Sequence, residues 1–266
     1  MPSSDNRIRR LFQECRERGR VVLIPYLTAG YPSAGESLEL MRGLAAAGAD
    51  LIELGIPFSD PLADGPTIQR ASFQALSRGM NVSGALEILR EFRSGSETPV
   101  VVFSYLNPLL RYGLDDFVAD AVEAGASGLL LTDLPAGADP EMEEKITGGG
   151  LDLIRLLAPT TGRGRIAEVA RGGGGFLYYI SRTGVTGASS ALRESLGREV
   201  EAIRSQVELP VAVGFGISTP EQAAQVGAVA DGVVVGSALL NTLDREGIQG
   251  ALDFIRGLRS GLDGKI

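Results

Sequence analysis

Three carboxylates and three prolines stand within the fourteen residues ELGIPFSDPLADGP (53–66), directly after an apolar run. Glu53 interrupts that run in DLIELG. An acid there is solvated at the mouth, paired with an arginine, or kept at a raised pKa by desolvation, and a carboxyl with a raised pKa suits a general acid–base group near neutral pH. Asp64 follows eleven residues later. Pro57, Pro61 and Pro66 stiffen the segment between, because each fixes its own φ and biases the preceding residue toward extended backbone. Asp64 therefore has two readings: an acid returned to face Glu53, or the N-cap of a helix starting near Thr67. Asp60, between them, reads as solvated.

The rest of the composition narrows the chemistry. The chain contains no histidine, which excludes Ser-His-Asp and Cys-His nucleophiles and any histidine-held metal. Its two lysines, Lys145 and Lys265, stand in polar stretches, not in strand-like runs where a Schiff-base amine would be activated. Carboxylates, tyrosines, hydroxyls and backbone amides must do any chemistry here. The net charge of −8 argues against a nucleic-acid surface. The single cysteine, Cys15, permits no intrachain disulfide, and the polar N-terminal twenty residues lack a signal-peptide core. Apolar runs are strand-sized, short of the ~20 residues of a membrane helix. A cytoplasmic protein is expected, with no nucleic-acid or membrane partner.

Eight such runs recur, over residues 21–27, 50–54, 99–105, 127–132, 152–157, 176–180, 210–214 and 231–235. They are nearly continuously apolar, as strands covered on both faces must be. Helical spacing fills the intervals, as in SLELMRGLAAAG and LDDFVADAVEAG. The stretches AAAGADLIELG, VEAGASGLLLTD and AQVGAVADGVVVG repeat one design, in which a glycine ends a helix and a buried strand follows. Strand–helix alternation implies parallel strands with right-handed crossovers. Eight units in 266 residues predict a (β/α)8 barrel, a TIM barrel forming one domain over 1–266, with an extra amphipathic helix over 5–18 covering its bottom. An open doubly wound sheet fits less well, since VVLIPYLTAGYP carries no GxGxxG after the first strand.

Such barrels keep function at the C-terminal strand ends. That rule selects Glu53, Tyr105 with Asn107, Thr132 with Asp133, Tyr178 and Tyr179, and the glycines of VGFGIS and VVGSA. Gly214, Phe215 and Gly216, paired with Gly236 and Ser237 one strand later, suit a phosphate held by backbone amides and a hydroxyl. The alternative is that these glycines only make tight turns. SRTGVTGASSALRESLG (181–197) is long, small and polar, either a lid over the site or an ordinary loop.

Taken together, ELGIPFSDPLADGP, YLNP, LLLTDLP, YYISRTGVTG, VGFGIS and VVGSA resemble the tryptophan synthase α-subunit family, in order and spacing along essentially the whole chain. The resemblance implies a (β/α)8 barrel that cleaves indole-3-glycerol phosphate to indole and glyceraldehyde 3-phosphate without cofactor or metal. It implies a β-subunit partner in an α2β2 complex. By position, Glu53 is the general acid–base residue and Asp64 the acid that bonds the indole N–H. Tyr178 lies at the reacting centre, and Thr186 is the lid threonine. Gly187, Phe215, Gly216, Gly236 and Ser237 match phosphate-site positions. Tyr26, Phe103 and Leu130 match the pocket wall, with Tyr105 at the end of the Phe103 strand, and Asp60 and Pro61 fall toward the partner. The chain departs from the family in Tyr26, commonly Phe, and in Tyr31-Pro32, commonly Asp-Pro. A stand-alone indole-releasing lyase, or a subunit that mainly activates its partner, would carry the same residues.

Overall fold

The computed structural model describes residues 7–181, 190–214 and 216–264, with the backbone alone for 190–194. Eight strands close a barrel in sequence order, each paired in parallel with its neighbours. They are β1 (Val22–Thr28), β2 (Ile52–Gly55), β3 (Val100–Ser104), β4 (Gly128–Leu131), β5 (Asp152–Leu157), β6 (Leu177–Ile180), β7 (Val211–Gly214) and β8 (Gly232–Val235).

Period-two alternation along these strands divides the apolar residues into two cores. Val22, Ile24, Val101, Leu130, Ile154, Phe176, Ala212 and Val234 point inward and fill the barrel. Leu23, Leu27, Ile52, Leu54, Val100, Val102 and Leu129 point outward under the helices. The first helix, α1 (Arg7–Glu17), has no strand to cover. Its apolar stripe of Ile8, Phe12 and Cys15 joins the inner core and closes the barrel's lower end. The rings of Phe12 and Phe176 stand 5.5 Å apart. A Cβ on Gly232 would come within 3.3 Å of the Phe12 ring, so glycine there lets α1 approach.

The expected β2 and β8 begin one or two residues early. Asp50 does not join the ladder; its Oδ2 accepts from Leu23 N–H (2.9 Å) and pairs with Arg259, while its Oδ1 pairs with Arg20. Asp231 plays the same part before β8, accepting from Val211 N–H at 2.9 Å. The shared Ala-Asp of GADLIELG and VADGVVVG is thus a strand-entry cap, a role that neighbouring strands create.

Two crossovers carry more helix than the simple repeat predicts. After β2 come α2's counterparts on the next unit, α3 (Pro66–Ser77) and α4 (Val82–Arg93), where α2 itself (Ala34–Ala46) joins β1 to β2. After β3 come α5 (Leu106–Tyr112) and α6 (Leu114–Glu123), with Asn107 inside α5. One described helix follows each later strand: α7 (Pro140–Gly148), α8 (Arg163–Ala170), α9 (Ser190–Arg204), α10 (Pro220–Gly227) and α11 (Ser237–Leu262). The last bends at Gly247, whose φ of 70° is left-handed.

Candidate active site

Glu53 stands on the inner face of β2 beside Tyr26 of β1, its register partner, and is 1% exposed. No ion pair reaches it among the described residues, and its Oε1 has no hydrogen-bond partner. The arginine-paired reading finds no arginine partner among the described residues. Burial alone pushes its pKa up to about 8. This is a buried carboxyl that carries its proton at neutral pH.

Asp64 is half-buried in the loop that follows β2. The N-cap of α3 is Gly65, with Pro66 at the first helical position, so Asp64 does not cap the helix. The loop is pinned instead. Ala63 N–H donates to the Tyr105 hydroxyl at 2.9 Å, and Gln69 Nε2 donates to the carbonyls of Asp64 (3.0 Å) and Pro61 (3.3 Å). Burial raises the Asp64 pKa to about 6, against a hydrogen bond with Tyr105 that pulls it down. Asp60, four residues earlier, is exposed.

Tyrosines tie the two acids into one electrostatic unit. Tyr26 is raised by burial first, then by the charge of Asp64, and less by Glu53. Tyr178, on the inner face of β6, is raised well above its ordinary value by burial and then by Glu53. Burial and Asp64 push Tyr105 to about 12. All three hydroxyls stay protonated and can donate. The Tyr26 and Phe103 rings meet edge to face at 5.3 Å, and the Tyr26 hydroxyl lies 3.3 Å from Thr28 Oγ1. Phe58 packs on Tyr105 at 5.2 Å between ring centres. Leu130 faces inward on β4.

Gly216 adopts φ 73° just beyond β7. Gly236 is the N-cap of α11 and Ser237 its first residue, so free backbone N–H groups cluster there at the positive end of the helix dipole. A Cβ on Gly236 would lie 3.5 Å from Tyr26 Cβ, which puts this anion-seeking end beside the strand that pairs with Glu53. Thr186, Gly187 and Phe215, and with them residues 182–189 of the expected lid, lie outside the described residues.

Sequence reasoning missed four supporting residues. Leu156 faces the interior one pleat above Ile154, and the alternation of β5 already marks it. Phe58, Gln69 and Thr28 carry no such signal, since their partners come from other segments. A separate cavity of about 340 Å³ opens between the loops after β4 and β5, lined in part by Thr132, Arg155, Leu156 and Thr161. Neither acid lines it.

Fold and site together define a (β/α)8 barrel that carries a buried carboxyl with a raised pKa on β2, a second acid in the loop after it, and a glycine-led helix N-terminus after β8. The family model for the tryptophan synthase alpha chain matches residues 12–255. The tryptophan synthase alpha chain of Azoarcus sp. (strain BH72) is 46% identical over 263 residues, 97% of each chain. That of Phenylobacterium zucineum is 48% identical over 236 residues, 88% of this chain and 85% of that one. The crystal structure of tryptophan synthase subunit alpha from Legionella pneumophila superposes with a TM-score of 0.90 at 39% identity, covering 97% of this chain and 99% of that one. The chain belongs to the tryptophan synthase α-chain family.

Proposed function

We propose that this chain cleaves indole-3-glycerol phosphate to indole and glyceraldehyde 3-phosphate, as the α subunit of a tryptophan synthase. The observation that carries the reading is Glu53: buried, without a cation among the described residues, protonated at neutral pH, and facing Tyr26, which also feels the charge of Asp64, an acid of lower pKa.

The reaction needs an acid, then a base, at one place. Glu53 delivers its proton to C3 of the indole ring, which turns the ring into an electron sink. Asp64, ionised at neutral pH, accepts the indole N–H hydrogen bond and stabilises the positive charge that develops on the ring. The Glu53 carboxylate then removes the proton from the side-chain hydroxyl next to the ring. The bond between indole C3 and that carbon breaks, its electrons return to the ring, and the new carbonyl leaves as glyceraldehyde 3-phosphate. Two pKa values set apart by environment suit this division of labour.

Tyr178 lies against the reacting centre; Tyr26, Phe103, Tyr105 and Leu130 form the wall around the indole. Gly187, Phe215, Gly216, Gly236 and Ser237 hold the phosphate, and Thr186 meets Asp64 when the lid closes. The chain acts as one domain over 1–266 and hands indole to a β subunit in an α2β2 assembly, with Asp60 and Pro61 on the side facing it. No helix among the described residues is long and apolar enough to cross a membrane, and the proposed place of work is the cytoplasm.

The test is an indole-release assay on the purified chain, with and without a tryptophan synthase β subunit. Wild type releases indole, and added β subunit co-elutes with it on size exclusion. Glu53→Gln binds the substrate and loses turnover by about 10²–10⁴-fold. Turnover retained in that variant overturns the assignment.

A further inference from the structure

Two bridges join α3 to α11, outside the strand ladder that closes the barrel. Thr67 Oγ1 donates to Asn241 Oδ1 at 3.0 Å. One turn further along both helices, Arg70 pairs with Asp244, which also accepts from the buried hydroxyl of Tyr31. Thr67 and Arg70 are three residues apart, and so are Asn241 and Asp244. Each pair therefore shares one helix face, and the two faces run along each other. Tyr31, in the turn after β1, anchors the second bridge to the barrel.

The positions of these bridges matter more than their strength. Helix α3 begins two residues after Asp64, and Gln69 ties its first turn to the Asp64 carbonyl. Helix α11 begins at Ser237, one turn before Asn241. The bridges thus connect the two rigid elements that carry opposite ends of the site: the acid that takes the indole N–H and the amides that take the phosphate. Arg70 and Asp244 are substantially exposed, with side chains 51% and 27% accessible. Pairs of that kind add little to global stability. What they can do is fix the relative setting of two helix ends.

We propose that Tyr31, Arg70 and Asp244, with Thr67 and Asn241, form a staple that sets the distance between the Asp64 loop and the phosphate-binding end of α11, so that they are positioning residues for the cleavage. The staple rests on the function proposed above. A substrate that spans both ends reacts only when the two are correctly spaced, and a small misplacement of a reacting group costs rate steeply. Free indole or inorganic phosphate occupies one end alone and is indifferent to the spacing.

That difference supplies the test. Arg70→Met, Asp244→Asn and Tyr31→Phe are each assayed for indole release from indole-3-glycerol phosphate, with and without a β subunit. Indole and inorganic phosphate binding are measured separately, and thermal midpoints are recorded. The staple predicts a fall in kcat of about tenfold or more with both half-ligand affinities and the midpoint nearly unchanged. It also predicts that Arg70→Lys, which keeps the charge pair, retains most of the turnover. Unchanged kcat in all three variants overturns the staple while leaving the function intact. So does a kcat loss that only tracks a lowered midpoint or weakened phosphate binding. A wild-type chain that releases no indole under either condition overturns the function, and the staple with it.

Discussion

Glu53 and Asp64 are both carboxyls, yet their surroundings separate them. Glu53 has no polar partner on Oε1 and titrates near 8; Asp64 keeps a tyrosine hydrogen bond and titrates near 6. The proposed cleavage requires Glu53 protonated and Asp64 ionised. Activity should rise with pH through about 6 and fall through about 8 as the pair titrates. A kcat/KM profile of the wild type checks this, and Asp64→Asn should lose the acid limb along with most of its turnover. Stability carries a second signature. The folded state holds the Glu53 proton up to about pH 8, whereas the unfolded chain releases it near 4.5. Rising pH therefore favours the unfolded state across that window. Glu53→Gln should gain stability over wild type as pH moves from 5 to 8, read as a widening gap between their urea midpoints.

Among the elements, β2 and β7 are shaped by what glycine leaves empty. A Cβ on Gly55 would meet the Tyr26 hydroxyl at 2.1 Å, and one on Gly214 would meet the Tyr178 hydroxyl at 2.3 Å. Both tyrosines are rigid and packed, so neither can retreat cheaply. Gly214→Ala should destabilise the chain by about 1–3 kcal/mol through overpacking and lower kcat by displacing Tyr178. Gly95→Ala, where a Cβ meets nothing within 4 Å, should stay within about 0.5 kcal/mol of wild type. Urea unfolding of the two variants makes the comparison. The strand pattern was readable because period-two burial writes itself into residue choice. The glycine positions were readable only as turn signals. Their part as space for a tyrosine comes from a strand one place around the barrel.

Across the whole molecule, Asp50 ties together segments far apart in sequence. Its carboxyl receives Arg20 (2.8 Å) from behind α1, Leu23 N–H (2.9 Å) from β1 and Arg259 (3.0 Å) from α11. Arg259 and Asp50 are about 9% and 10% exposed. Removing the acid would leave Arg259 to Asp263 (2.7 Å) and the Val21 carbonyl (3.0 Å) and would strip Leu23 N–H of its side-chain acceptor, so Asp50→Ala should cost about 1–3 kcal/mol, measured as a shift in the urea midpoint. The same dependence on distant partners explains which features the chain alone revealed. Eight apolar runs with helical intervals determined the (β/α)8 order, because burial on both faces constrains each strand residue by residue. The lack of histidine and the scarcity of lysine determined that carboxyls and hydroxyls would do the chemistry. Glu53 could be located on a strand, but its pairing could not; the identical sequence would serve with an arginine across the barrel. Only the closed tertiary structure decided that no cation among the described residues reaches Glu53, that Gly65 and not Asp64 caps α3, and that α3 is bridged to α11. Pattern follows from neighbours along the chain, whereas charge pairing, pKa and helix-to-helix spacing follow from neighbours the fold alone brings together.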